Sequence, residues 1–215
     1  PPPVVSPRDL SGGRYDFLQV ELVGVVTDVF RDDVDPAWLV LAVEENGSRS
    51  LVWYNGEPTE DARAARLIDA RVGITGGCFP RALGMRRNLG VNVQTADLNS
   101  FRVIRPAPTE PFRTNDGPDH RQLHAGVVTA VWNERSLFLR DASGDSFEVY
   151  LAPGQVAPPP GTSVDISAFV RHNAFYTRFA NALIRPRPGR HPAADGAPLD
   201  ISAQDVLRTP DGRPR

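Results

Sequence analysis

The sequence predicts an all-β chain with one short helix, arranged as two related five-stranded barrels in tandem. Three observations predict it. Five blocks of sequence recur in the same order in the two halves of the chain. Each block alternates apolar and polar residues as a half-buried strand does. In the first half, a helix-forming stretch stands between the third and fourth blocks.

The first block, Gly24-Val25-Val26-Thr27 followed by Val29, recurs as Gly126-Val127-Val128-Thr129 followed by Val131. Leu39-Val40-Leu41 then matches Leu137-Phe138-Leu139, and Ser50-Leu51-Val52-Trp53-Tyr54 matches Ser146-Phe147-Glu148-Val149-Tyr150. The fourth block, Ala70-Arg71-Val72-Gly73-Ile74-Thr75, matches Thr162-Ser163-Val164-Asp165-Ile166-Ser167. Both copies close on the same tripeptide, Ile104-Arg105-Pro106 and Ile184-Arg185-Pro186. In the first copy, strands are expected near 18–30, 37–45, 49–54, 71–79 and 90–105. Between the third and fourth, the stretch from Thr59 to Ile68 carries a capping residue, acidic residues in its first turn and good helix formers. Five strands with a helix between the third and fourth is the order of the OB barrel. A generic small antiparallel barrel shares most of these strands. In the second copy the helix position reads Ala152 to Gly161 with Pro158-Pro159-Pro160, which cannot continue a helix and predicts an extended cover. Gly24 and Gly126 are expected at equivalent points of the first strand, where a bulge or tight curvature uses the missing side chain.

These blocks divide the chain into a first OB-like repeat over 1–106, a linker over 107–118, a second repeat over 119–186 and a tail over 187–215. The tail stretch Ser202-Ala203-Gln204-Asp205-Val206-Leu207 echoes Ser6-Pro7-Arg8-Asp9-Leu10, as if leading into a further repeat.

Composition narrows the function. All 24 basic residues are Arg, against 26 acidic ones, for a net charge of −2. No broad positive field draws in nucleic acid or an anionic membrane, so nucleic acid is not the expected partner. No run approaches the ~18 apolar residues of a membrane helix. The chain opens on Pro1-Pro2-Pro3 with no initiator Met and no basic-then-apolar leader, and it is read as a piece of a longer protein. A single cysteine, Cys78, excludes an internal disulfide and a cysteine zinc site, and its position on the fourth strand fits a small core residue.

Enzyme signatures are missing. The chain has no Gly-x-Ser-x-Gly, no phosphate loop and no dinucleotide fingerprint. His120 and His124 are four apart and would share a face on a strand, yet no metal is expected there. Asp32, Asp33 and Asp35 lack the glycine and distal glutamate of a calcium loop and read as a solvated hairpin loop. No cofactor is expected. Binding surfaces are the better candidates, because OB barrels use the face of strands two and three. If Leu39, Leu41 and Val43 point inward, Trp38, Val40 and Ala42 point outward, with Ser136, Phe138 and Arg140 as their counterparts. Tyr54 and Tyr150 are matched on strand three. Rings beside arginine stack bases or sugars or anchor a protein, and they equally serve to seal one barrel on the other. A second candidate is the cluster Arg81, Arg86, Arg87 and Asn88 after strand four, suited to a phosphate or carboxylate.

Gly-Val-Val-x-x-Val from Gly24, Ala70-Arg71-Val72-x-Ile74-x-Gly76-x-Cys78, Arg86-Arg87-Asn88-Leu89-Gly90-Val91 and the closing Ile104-Arg105-Pro106-Ala107-Pro108 carry a further clue. Together they resemble OB-like repeats in the sensory regions of bacterial sensor and hybrid histidine kinases. The resemblance implies a non-catalytic, extracytoplasmic input or binding module of a signalling receptor, with membrane helices and kinase domains elsewhere in the parent. The partner it implies is an unidentified small ligand or protein. The alternative is a tandem OB protein that binds single-stranded nucleic acid.

Overall fold

Strict alternation in Val20, Leu22, Gly24 and Val26 places one face of a long strand in a core, and the remaining strands repeat the device. The computed structural model describes residues 1–82, 88–112, 117–172 and 177–187, without the side chains of 81–82 and 88–90. The first half contains β1 (Val4–Val5), α1 (Pro7–Leu10), β2 (Gln19–Arg31), β3 (Trp38–Glu45), β4 (Ser48–Asn55), α2 (Asp61–Ala65), β5 (Arg71–Ala82), β6 (Asn88–Gln94) and β7 (Phe101–Arg105). The second contains β8 (Gln122–Asn133), β9 (Ser136–Arg140), β10 (Ser146–Leu151), β11 (Ser163–His172) and β12 (Thr177–Pro186).

Both halves close into five-stranded barrels with the OB strand order. β2-β3-β4-β6-β5 returns to β2, and β8-β9-β10-β12-β11 returns to β8. In each barrel the third strand pairs in parallel with the fifth, and the other pairings are antiparallel. β1 is an addition to the first barrel, on β2, and β7 continues its fifth strand along β5. Each barrel has its own apolar core. Leu22, Leu41, Val52, Ile74 and Val93 lie in the first, and Val128, Leu137, Val149, Ile166 and Phe179 in the second. Burying one such side chain fully contributes ~1.5–3 kcal/mol.

The paired glycines match. Gly24 faces Val72 and Gly126 faces Val164, and a β-bulge follows each after Val26 and Val128. These registers set the equivalences between copies, and they differ from the sequence matches in three places. Val26 faces Val43 and Val128 faces Leu139, which makes Leu41 the counterpart of Leu137. Leu41 faces Val52 and Leu137 faces Val149, so Trp53 corresponds to Tyr150 and Tyr54 to Leu151. At the close of the repeat, Ile74 faces Phe101 while Ile166 faces Ile184, so Phe101, not Ile104, is the counterpart of Ile184. The first copy breaks its last strand into β6 and β7 at a 3-10 turn over Leu98–Ser100, capped by the Asp97 carboxylate.

The expected helix is shorter than its sequence window, with a 3-10 turn over Pro58–Glu60 leading into α2. A second helix appears at the N-terminus, where Ser6 and Asp9 form a reciprocal capping box with Pro7 at the first turn. Val5, Pro7 and Leu10 are buried there, and Val5 and Leu10 join the first core. No helix occupies 152–161 in the second barrel; Ala157 covers its core while Val156 is exposed. Among the described residues no helix is long and apolar enough to cross a membrane.

Candidate binding face

Period-two alternation fixes what β3 and β4 present to the outside. Leu39, Leu41, Val43, Val52 and Tyr54 belong to the core, so Trp38, Val40, Ala42 and Glu44 point out, as do Arg49, Leu51 and Trp53. The ladder sets Glu44 opposite Arg49, Ala42 opposite Leu51 and Val40 opposite Trp53. Val40 and Ala42 form a fully buried floor although they face outward. Trp38 and Trp53 stand at one end of it, edge to face with ring centroids 6.4 Å apart. The Trp53 Nε1 is buried without a hydrogen-bond partner. Tyr54 is not on this face. Its ring is wholly buried and packs against Phe101 at 6.1 Å, and burial, with Glu60 next, pushes its phenol up to about 12. The one-residue offset in matching β4 to β10 put Tyr54 on the wrong side, since a slip of one reverses every side chain.

The second barrel presents Phe138, Arg140, Glu148 and Tyr150 on the corresponding surface. Phe138 faces Glu148 across the ladder, and Tyr150 faces Ser136, which is buried. The Arg178 guanidinium lies 4.5 Å from the Tyr150 ring centroid and pairs with Glu148 at 2.7 Å. A hydrogen bond to Glu148 is the main cause of the raised Tyr150 phenol. The Arg140 Nε is buried without a partner. Trp132 sits at a second bulge of β8 and is 79% exposed.

A chain of charges joins the two surfaces. Arg178 is the ladder neighbour of Arg171. Arg171 reaches into the first barrel, 3.1 Å from Glu44 Oε1, and donates to Thr27 Oγ1 at 3.3 Å. Arg49 Nε approaches the same Glu44 oxygen at 3.7 Å. Burial first, and then the Arg171 charge, hold the Arg49 guanidinium below its usual range. The outer faces of the barrels therefore meet, with rings at both ends and arginines between.

A polar joint fixes that meeting. Asp69 Oδ1 accepts from His120 Nδ1 at 2.8 Å and from the Arg121 backbone N–H at 3.3 Å, and Arg105 contacts the other ring nitrogen of His120. The Arg121 guanidinium donates to the Ser167 carbonyl at 3.1 Å, to the Asn181 carbonyl and to Asn181 Oδ1 at 2.7 Å. Asn181 Nδ2 returns to Asp28 Oδ1 of the first barrel at 3.1 Å. Asp69, His120, Arg121 and Asn181 are all buried. Asp69 and Asn181 have φ of +73° and +50°, a region that Asp and Asn tolerate better than most residues. The linker is also tied down, with Ser167 Oγ donating to the Pro111 carbonyl and Phe112 beneath Arg185.

Several expected candidates fall elsewhere. His120 lies in the turn before β8 and does not share a strand with His124, which packs on Phe179 at 4.4 Å. The Asp32 and Asp35 carboxylates accept backbone N–H groups of their own loop. Among the described residues no group of three or more His, Cys, Asp and Glu could hold a metal ion. Cys78 is buried in the first core, and burial pushes its thiol up to about 11. Arg81 and Asn88 lie on β5 and β6, with side chains outside the description, and Arg86 and Arg87 lie outside the described residues. Sequence reasoning missed Trp53, Trp132, Arg171 and Arg178 as surface groups. Trp53 was within reach, because two residues beyond Leu51 on β4 it shares the face opposite the core.

No family model and no curated protein matches the chain. Solved structures are similar to parts of it. Asparaginyl-tRNA synthetase from Pyrococcus horikoshii is 18% identical, with a TM-score of 0.38, over 51% of this chain and 24% of that one. Aspartyl-tRNA synthetase from Entamoeba histolytica is 12% identical, with a TM-score of 0.37, over 51% of this chain and 23% of that one. The chain thus spans about a quarter of the length of these synthetases. The p204 HINb domain is 13% identical, with a TM-score of 0.29, over 80% of this chain and 97% of that one.

Proposed function

We propose that this chain is a non-catalytic binding unit, and that its ligand is a single-stranded nucleic acid laid across the outer faces of both barrels. The observation that supports this reading is the row of rings and guanidinium groups. It runs from Tyr150 and Arg178 through Arg171 and Arg49 to Trp53 and Trp38. Bases stack on such rings with little regard to sequence, each stack contributing ~1–3 kcal/mol. Trp38, Arg49, Trp53 and Tyr150 stand on the second and third strands, the face that OB barrels commonly use, while Arg171 and Arg178 stand on β11 and β12. The non-catalytic part rests on what the copies share, which is apolar strand positions and turn glycines and no common set of acid, base and nucleophile.

A net charge of −2 leaves attachment to stacking and a few arginines. The affinity should then fall only gently with salt, by about 0.7 in log–log slope for each phosphate neutralised. Fluorescence anisotropy of a labelled oligothymidylate of about 20 nucleotides tests the reading, since each such barrel covers ~4–16 nucleotides. Tyr150→Ala and Trp53→Ala should each weaken binding ~5- to 150-fold. A wild-type chain that holds no oligonucleotide at low salt overturns the proposal.

A second reading keeps the face and changes the occupant. In an extracytoplasmic input segment of a bacterial sensor histidine kinase, the same rings would anchor a protein. The absence of a positive field and the sequence resemblance favour it. Its signature is an altered response of the full receptor to Tyr150→Ala, together with no oligonucleotide binding by the wild type.

A further inference from the structure

We infer that the meeting point of the two barrels is an anion subsite, in which Arg49 and Arg171 hold one phosphodiester of the bound strand. The inference rests on the nucleic-acid reading above and locates the backbone within it. Three features of the geometry carry it.

The first is charge. Arg49 and Arg171 converge on one carboxylate oxygen, Glu44 Oε1, at 3.7 and 3.1 Å. Glu148, the other carboxylate of the row, is engaged by Arg178. Asp28 Oδ1 already accepts from Asn181 Nδ2 and from the Val29 backbone N–H. Two guanidinium groups therefore converge on one carboxylate oxygen, with the Asp28 charge a second negative neighbour of Arg49.

The second feature is an unmet donor. The Arg171 Nη2 is used by Glu44 and Thr27, yet its Nε is buried with no hydrogen-bond partner. A buried donor without a partner costs ~1–3 kcal/mol, more when charged, so an acceptor brought to this guanidinium would relieve that cost. Guanidinium N–H groups lie in one plane as a fork, and phosphate oxygens match that fork better than a single point acceptor does. Thr27 Oγ1, which donates to Glu44 at 2.9 Å, lies at the same point. Burial first, and the Arg171 charge beside it second, lower the Arg49 guanidinium.

The third feature is position. Arg171 adjoins Arg178, which covers the Tyr150 ring. Arg49 stands four residues before Trp53 on the same outward face of β4, or ~13 Å along the strand. A strand with one base on Tyr150 and another on Trp53 must carry its backbone past Arg171 and Arg49.

The test uses the full chain with the same oligothymidylate, titrated over a range of salt. Arg49→Ala should weaken binding about ten-fold and make the log–log salt slope shallower by about 0.7. Arg49→Lys should keep the slope and recover part of the affinity, because charge persists without the fork. An uncharged methylphosphonate oligothymidylate should bind wild type and Arg49→Ala equally. Unfolding midpoints of the variants check that the barrels remain intact. Wild-type binding with affinity and slope unchanged in Arg49→Ala overturns the subsite alone and leaves the nucleic-acid reading standing. No binding by the wild type overturns both.

Discussion

A methyl group built on Gly24 would stand 2.6 Å from Val43 Cγ1 and 2.9 Å from the Glu44 carbonyl oxygen. On Gly126 it would stand 2.3 Å from Leu139 Cδ2 and 2.6 Å from the Arg140 carbonyl oxygen. The register makes Val43 the counterpart of Leu139 and Glu44 the counterpart of Arg140, so the same crowding arises in both copies. Each glycine lets the first strand lie against the second just before the bulge. A side-chain methyl can turn aside, whereas a ladder carbonyl moves only with its strand. Gly24→Ala and Gly126→Ala should therefore each destabilise by ~1–3 kcal/mol, with Gly126→Ala the worse because its carbonyl is nearer. Urea unfolding of the two variants measures this, and midpoints equal to wild type would show that the close approach is slack. These glycines were legible in the sequence as equivalent points of the first strand, because a repeat that spends a glycine in mid-strand twice has a geometric reason for it.

α1 shows an element whose worth depends on a few polar atoms. Asp9 Oδ2 accepts from the Ser6 backbone N–H at 2.8 Å, and Ser6 Oγ accepts from the Asp9 N–H at 3.3 Å. The cap holds Pro7 and Leu10 in place against the first barrel. Ser6→Ala should cost about 1 kcal/mol, read by urea unfolding, with the barrel otherwise intact. Hydrogen bonding to Ser6 lowers the Asp9 carboxyl below its reference of 3.8. A lowered acid stabilises above its unfolded value and loses that contribution as pH falls through the folded one; Ser6→Ala keeps the backbone N–H, the larger cause, so only the part of the difference that comes from the hydroxyl should shrink below about pH 4. Strands were less legible than this cap. The sequence match of Leu39 and Leu41 to Leu137 and Leu139 is two residues out, which preserves the inward face. The match of Tyr54 to Tyr150 is one residue out, which reverses it. The reason is physical. Glu44 faces Arg49 across four intervening residues and Arg140 faces Ser146 across five, so the hairpin of the second copy is one residue longer, and a change of one in loop length shifts the phase of alternation without leaving a mark in the alternation itself. The break between β6 and β7 hid the true counterpart of Ile184 in the same way.

At the scale of the whole molecule, two separate apolar cores are joined chiefly by polar contacts. The barrels themselves were readable from repetition, because strand periodicity is local. The joint was not, since Asp69 meets His120 across 51 residues and Asn181 meets Asp28 across 153. Nothing in the composition of those stretches announces a partner so far away. Burial brings the Arg121 guanidinium down to about 10, which still leaves it charged at neutral pH, held by the Ser167 and Asn181 oxygens. Such a joint couples the barrels only while each buried polar group has its partner, and removing one partner leaves the others exposed to the full desolvation penalty. Asp69 offers a clean way to remove one. At φ +73° glycine fits without backbone strain, so Asp69→Gly deletes the carboxylate and leaves the turn at ease. His120 and the Arg121 N–H then lose their acceptor. Trp38 and Trp53 belong to the first barrel and Trp132 to the second, so in a Trp132→Phe background tryptophan fluorescence follows the first barrel alone, while far-ultraviolet circular dichroism follows both. The two signals should trace one transition on urea unfolding while Asp69 is present, and separate into two once it is replaced by glycine. Coincident curves in the Asp69→Gly protein would mean that the barrels are coupled through other contacts, and that the row of rings and arginines does not depend on this joint for its alignment.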